Sequence, residues 1–415
     1  MGDKIFEAKG EIIQTGVFPG LPNQQIPLWK DSNNIVYKDA SAKVAGAHEP
    51  LFDKGSARAG TGILALDNAG APALVWGDSE ALYKGLTKPT TIDVTRVSGA
   101  YTGTDDDLWH FVQFGNTLFA TNGVDPVQYM ASISDPASKF VDLDTVSDIA
   151  TVDADFTCKL LSATGAFILA LNTHNLDSEY IWCSEDSQLN WVPSAGNSAR
   201  DIQIRELNSD IVAVVDMGKL RILYGRDQLR VLGFVGSPFY FSDEHLLDGI
   251  GAVGKYSVTA VGRKHYGFGS NGLFVMDGST FSYIDDPSMH KYIYQDNYDK
   301  AKQARCVTWA DMNEGMVYFS FPTLDGSGLS VAFNDRTGAW ATFDWYRTAA
   351  STGGLWGHPV MVDASGGIWL QSSSSAAFTT PGNPVALIDF IDYQAGYGIG
   401  GYGQGGYGGK WRETR

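Results

Sequence analysis

Gly165-Ala166-Phe167-Ile168-Leu169-Ala170-Leu171-Asn172 carries a pattern that recurs along the chain. A glycine turn opens a short apolar strand and an asparagine closes it. The pattern occurs upstream as Gly115-Asn116-Thr117-Leu118-Phe119-Ala120-Thr121-Asn122-Gly123. It occurs downstream as Gly218-Lys219-Leu220-Arg221-Ile222-Leu223-Tyr224-Gly225 and Asn271-Gly272-Leu273-Phe274-Val275-Met276-Asp277-Gly278. Two later copies are Glu314-Gly315-Met316-Val317-Tyr318-Phe319-Ser320 and Gly366-Gly367-Ile368-Trp369-Leu370. The copies lie about 45–50 residues apart, the period of propeller blades. Each interval has room for about four strands of roughly 5–6 residues and their turns. A weaker copy sits upstream, at Ile63-Leu64-Ala65-Leu66-Asp67 or at Ala81-Leu82-Tyr83-Lys84-Gly85. The predicted fold is all-β, a β-propeller of six or seven four-stranded blades, with seven preferred.

Other segments fill the intervals. Asp210-Ile211-Val212-Ala213-Val214-Val215-Asp216 is a continuous apolar run suited to a buried inner strand. Tyr256-Ser257-Val258-Thr259-Ala260-Val261, His265-Tyr266-Gly267-Phe268-Gly269 and Leu329-Ser330-Val331-Ala332-Phe333 read as further strands. Asp299-Lys300-Ala301-Lys302-Gln303-Ala304-Arg305 reads as a helical insertion between blades. The composition agrees: 48 Gly supply turns, and 19 Tyr, 21 Phe and 11 Trp favour strands over long helices.

The ends do not follow the repeat. Residues 1–60 read as an extended, proline-punctuated arm that supplies a ring-closing strand. Residues 61–380 are assigned to the propeller. Residues 381–415 contain Gly-Tyr-Gly about every five residues, at Tyr397, Tyr402 and Tyr407, and end in Lys410, Arg412 and Arg415. Glycine-rich sequence alone reads as a flexible tail. The tyrosines offer rigid contact area with a polar tip, which points to an assembly interface.

Ser184-Glu185-Asp186-Ser187-Gln188-Leu189-Asn190-Trp191 nearly matches the Asp-box S-x-D-x-G-x-x-W, with Gln188 in place of glycine. The Asp-to-Trp offset recurs in Asn334-Asp335-Arg336-Thr337-Gly338-Ala339-Trp340. In such a box the aspartate caps a tight turn and the tryptophan packs beneath it. Ser184, Asp186, Trp191, Asp335 and Trp340 are therefore assigned as structural blade-turn staples.

The chemistry-bearing residues form no convincing catalytic or metal-binding constellation. The seven histidines make neither HxH nor HExxH, and no nucleophile elbow or phosphate loop occurs. Asp105-Asp106-Asp107 lacks the alternating spacing of a calcium loop and reads as a solvated loop. Asp285-Asp286 before Pro287 reads as a turn. Cys158, Cys183 and Cys306 are scattered and imply neither a disulfide framework nor zinc. No apolar run follows Met1 to suggest a signal peptide, and none reaches the ~20 residues of a spanning helix. The expectation is a non-enzymatic protein without cofactor or membrane anchor. A carbohydrate-active propeller, glycosidase or glycan-binding module, is the alternative; a glycosidase needs two carboxylates at fixed separation.

Several stretches resemble, in order, the packaged-DNA stabilisation and tail nozzle proteins of short-tailed bacteriophages. They are Tyr180-Ile181-Trp182-Cys183-Ser184-Glu185-Asp186 through Trp191, then Ile222-Leu223-Tyr224-Gly225 through Gly233-Phe234-Val235-Gly236 to Pro238-Phe239. Gly249-Ile250-Gly251-Ala252-Val253-Gly254, Gly269-Ser270-Asn271-Gly272-Leu273-Phe274-Val275-Met276-Asp277-Gly278 and Val331-Ala332-Phe333-Asn334-Asp335-Arg336-Thr337-Gly338-Ala339-Trp340 follow. The resemblance covers roughly residues 175–345. It implies a virion tail protein, assembled in the host bacterial cytoplasm. Such proteins form a ring, usually a homohexamer, below the portal and adaptor rings. They extend the DNA conduit, retain packaged DNA and anchor fibres or spikes. Larger members carry platform domains that this compact chain is expected to lack.

The net charge of −17 argues against gripping nucleic acid. DNA carries one negative charge per about 1.7 Å of duplex axis, so an acidic lumen resists sticking during ejection. Double-stranded DNA is thus expected to pass without sequence-specific binding. The sequence singles out no DNA-facing residue.

Overall fold

The computed structural model describes residues 29–33, 35–38, 41–44, 48–207, 209–371 and 385–388. Seven antiparallel four-stranded sheets form a seven-bladed β-propeller. Blade 1 runs from Gly62–Asn68 to Thr90–Asp93 and blade 2 from His110–Phe114 to Val141–Asp142. Blade 3 spans Cys158–Thr164 to Arg200–Gln203, and blade 4 Ala213–Met217 to Tyr240–Asp248. Blade 5 spans Val258–Val261 to Thr280–Tyr283, and blade 6 Val307–Asp311 to Trp340–Phe343. Blade 7 takes Ala349–Ser351, Val360–Val362 and Ile368–Gln371 from the end of the ring, and its outer strand His48–Phe52 from the beginning. First strands neighbour one another in turn around the ring, and that of blade 7 returns to that of blade 1.

Each sheet has two packed faces, which explains the apolar repeat. All seven residues of Phe167–Thr173 are buried, as are all six of Met316–Phe321. A strand sandwiched between two neighbouring blades has no solvent face, so alternation gives way to a continuous apolar run. The hydrophobic core is accordingly seven clusters, one at each blade–blade boundary. Tight turns joining first to second strands put Gly115, Gly165, Gly218, Gly262 and Gly315 at φ between 57° and 68°, where a Cβ would be strained.

Four of the six repeat copies are second strands: Thr117–Thr121, Phe167–Thr173, Leu220–Tyr224 and Met316–Phe321. The copies at Leu273–Asp277 and Ile368–Gln371 are third strands. The weaker upstream signal covers the first and third strands of blade 1. The apolar run after Asp210 holds the first strand of blade 4, Ala213–Met217. Lys300–Arg305 forms a 3-10 helix capped by Asp299, between blades 5 and 6. A preceding helical stretch, Pro287–His290 and Lys291–Asn297, adds Met289, Ile293 and Tyr294 to the core there. Asp285 and Asp286 do more than turn the chain. Asp286 caps this stretch by accepting from Ser288 and Met289 N–H, while Asp285 pairs with His290 at 2.7 Å. No helix among the described residues is long and apolar enough to cross a membrane.

Candidate functional site: turns, hub and projecting ribbon

The box-like turns lie between third and fourth strands of blades 3 and 6. In blade 3, Ser184 is buried; its N–H donates to Asn190 O at 2.7 Å, and its hydroxyl meets that of Ser198 at 3.3 Å. Trp191 is buried against Phe156, and its indole N–H donates to Gln188 O at 2.9 Å. Asp186 does not cap this turn. It is exposed, and its carboxylate accepts no hydrogen bond among the described residues. Asp148, from the connection between blades 2 and 3, takes the role by accepting from the N–H of Trp191 at 2.6 Å and of Val192 at 3.3 Å.

In blade 6, Trp340 is buried against Phe333 and Phe319. The cap is Asn334, whose Oδ1 accepts from Arg336 N–H at 2.9 Å and Thr337 N–H at 3.2 Å. Asp335 instead reaches blade 5, where it accepts from Lys264 Nζ at 3.1 Å and from the Tyr266 hydroxyl. The two tryptophans thus anchor turns, while the aspartates assigned with them do other things. Tyr397, Tyr402 and Tyr407 lie outside the described residues.

The segments leading into blades 2, 5 and 6 meet at the ring centre. Blades 2 and 5 are not neighbours, so contact between them crosses the propeller axis. Tyr256 donates to Trp109 O, and Lys255 Nζ donates to Leu108 O. The His110 ring stacks on Tyr256 at 5.6 Å, and its Nδ1 accepts from Leu161 N–H. Arg305 adds ion pairs to Asp106 at 2.5 Å and Asp105 at 3.7 Å. Burial pushes Lys255 down to about 7, against the opposing pull of Cys158 and Asp107. Burial, then the Lys255 charge, pushes His110 down to about 3. A lysine and a histidine in this state invite a catalytic reading. The Lys255 ammonium and His110 Nδ1 are instead engaged with main chain, and the hub acts as a cross-ring staple. No local sequence pattern marks these residues.

The three cysteines are buried and free, and burial pushes their thiols up to about 12, 11 and 12 for Cys158, Cys183 and Cys306. Among the described residues, no group of three or more His, Cys, Asp or Glu side chains is placed to hold a metal ion.

Blade 4 breaks the ring's regularity. Its outer strands Gln228–Gly236 and Tyr240–Asp248 have nine residues each, the longest of the seven blades. The second strand pairs with the third only as far as Leu232. Residues 233–236 and 240–242 therefore continue as a two-stranded ribbon, about 13 Å long at 3.3 Å per residue. Phe167 of blade 3 braces one side of the ribbon through ring contacts to Phe234, Tyr240 and Phe241 at 5.8, 5.7 and 5.3 Å. Val235 and Phe239 stay open at 55% and 74% exposed, and Phe234 remains 55% exposed although its ring touches Phe167 and Phe241.

No protein-family model matches the chain, and no curated protein matches it. Solved structures do. One is PorZ, an essential bacterial surface component of the type-IX secretion system of Porphyromonas gingivalis, at 9% identity and a TM-score of 0.45 over 84% of this chain. Another is a puromycin-hydrolyzing peptidase of Mycobacterium tuberculosis, at 12% identity and a TM-score of 0.42 over 68% of this chain. The chain spans 40% and 43% of the length of those two proteins.

Proposed function

We propose that this propeller is a non-catalytic structural protein of a short-tailed bacteriophage tail. In this reading copies of the chain form a closed ring, a homohexamer, below the portal and adaptor. The ring extends the DNA conduit, retains packaged DNA and anchors fibres or spikes. The observation that carries the reading is the blade 4 ribbon. Three large apolar side chains exposed within six residues are more than the scattered surface apolars of a monomer. They belong to the Gly233-to-Phe239 stretch that resembles the nozzle proteins. The ribbon occurs on one blade of seven, so it has no equivalent on its own ring to meet. An isologous dimer or a heterologous ring can cover it, and closed rings use the second kind of contact.

The DNA path in this proposal is the lumen of the assembled ring. The propeller's own axis is crossed by the Tyr256–Trp109 and Arg305–Asp106 contacts. The −17 charge supports a lumen that DNA slides past. Native mass determination and cryo-electron microscopy of the full chain, with and without its portal and adaptor, test the reading. A closed ring that loses assembly in the double variant Val235→Ser, Phe239→Ser is the expected result. A chain that stays monomeric and binds neither portal nor adaptor overturns it. Truncation after Gln394 should also impair assembly and leave the propeller folded; unchanged assembly removes the C-terminal segment from the proposal.

A further inference from the structure

A cavity of about 430 Å³ opens between blades 4 and 5, on the face carrying the second-to-third turns and the blade-to-blade connections. This lies within the range of small-ligand sites. Its walls come from two stretches that the assembly reading leaves without a role. Gly249-Ile250-Gly251 is the connection between the blades, and Gly269-Ser270-Asn271 is the second-to-third turn of blade 5. The glycines let main chain approach main chain: a Cβ on Gly251 would stand 2.1 Å from the Arg226 carbonyl, and one on Gly269 3.0 Å from Gly272 O.

The lining chemistry narrows the ligand. Arg226 grips Asp210 through Nε and Nη2 at 2.9 and 3.1 Å, so its positive charge is neutralised within the protein. Asp227 beside it is exposed and forms no ion pair among the described residues. Arg226 and Asp227 are the charged lining residues, so the lining carries no net charge, and Arg226 is already held by Asp210; neither feature favours a phosphate, nucleotide or other anion. The side chains of Ser270 and Asn271 are likewise exposed and unengaged among the described residues. A carboxylate, an amide and a hydroxyl together offer both donors and acceptors. The Tyr283 ring stands 46% exposed at the rim, and Phe274 lies buried at the base. An aromatic face beside mixed donors and acceptors matches a pyranose ring, whose C–H face is apolar and whose edge is lined with hydroxyls.

We propose that this cleft between blades 4 and 5 binds a short neutral oligosaccharide, with Tyr283 as its stacking platform and Asp227 and Asn271 as its hydroxyl partners. The proposal is independent of ring assembly. It is tested on the full chain by titration calorimetry and saturation-transfer NMR with cellotriose, maltotriose and triacetylchitotriose, and with sialyllactose as the acidic control. Binding of at least one neutral trisaccharide with a Kd of about 1 mM or tighter is expected. Tyr283→Ala and Asn271→Ala should each weaken it roughly tenfold with an unchanged melting temperature, because both side chains are exposed. The proposal fails if none of the three neutral sugars binds. It fails equally if binding survives both substitutions undiminished, or if sialyllactose binds more tightly than the neutral sugars.

Discussion

Blades 7 and 4 are both four-stranded antiparallel sheets, yet they treat their outer strands in opposite ways. Blade 7 is discontinuous in sequence and turns its outer strand inward. Leu51 and Phe52 of His48–Phe52 are buried among Trp76, Leu74 and Val360. Arg347, itself buried, reaches His48 Nδ1 at 2.6 Å and lies over the Trp345 ring at 4.9 Å. Blade 4 is continuous and carries surplus strand length, which leaves the four-stranded body as a ribbon with an open apolar tip. A strand that seals the ring must bury its apolar side chains, because the closure has no covalent link. A strand inside a continuous blade is tethered at both ends, so its extension is free to serve contacts beyond the fold.

Leu51→Ala should cost about 3 kcal/mol, the transfer and cavity cost of a buried leucine. Chemical denaturation measures it, and a loss below about 1 kcal/mol would mean that blade 7 does not depend on this strand. Acid provides a smaller, directional effect. Burial, then the charge of Arg347, holds His48 well below its ordinary value of 6.5. Below that value the unfolded chain takes up a proton that the folded chain refuses, so stability present at neutral pH declines as pH falls through 6.5. The slope of stability against pH between 7 and 5 should flatten in His48→Gln. An unchanged slope would assign the acid sensitivity to other groups. The smallest effect belongs to blade 4: Phe239→Ser should change stability by no more than about 0.5 kcal/mol, since the ring is mostly exposed already. A larger loss in the monomer would show that the tip is part of the fold.

Much of the architecture was legible because a propeller strand is buried on both sides. That makes Phe167–Thr173 and Met316–Phe321 stand out as apolar runs. The strand position within a blade was less legible. Blade 5 has glycine turns at both Gly262 and Gly278, each at positive φ, and the local pattern at Leu273–Asp277 cannot tell its first hairpin from its last. The tryptophans of the box-like turns were visible as anchors. Their caps were not, since Asp148 lies 43 residues before Trp191 and Asn334 resembles any turn residue. The blade 4–5 cleft joins stretches whose sequences were noticed separately, without a sign that they face one cavity.

The repeat of a short apolar strand between glycine turns, the strong acidity and the lack of metal or nucleophile motif spacing can all be read along the chain. The repeat is a local property that follows from strand burial and turn geometry, and the acidity is a sum over the residues. The count of seven blades, the closure by His48–Phe52 and the central staple of Lys255 and Tyr256 come from the folded ring. Lys84 shows the reason. In sequence it is one charged residue in a third strand; in the fold it is 1% exposed, and its ammonium donates to the carbonyls of Asp135 and Ser138 in the next blade, at 2.5 and 3.3 Å. Partners about fifty residues away leave no periodic trace, because the satisfaction of a buried charge depends on which main-chain carbonyls the ring brings to it.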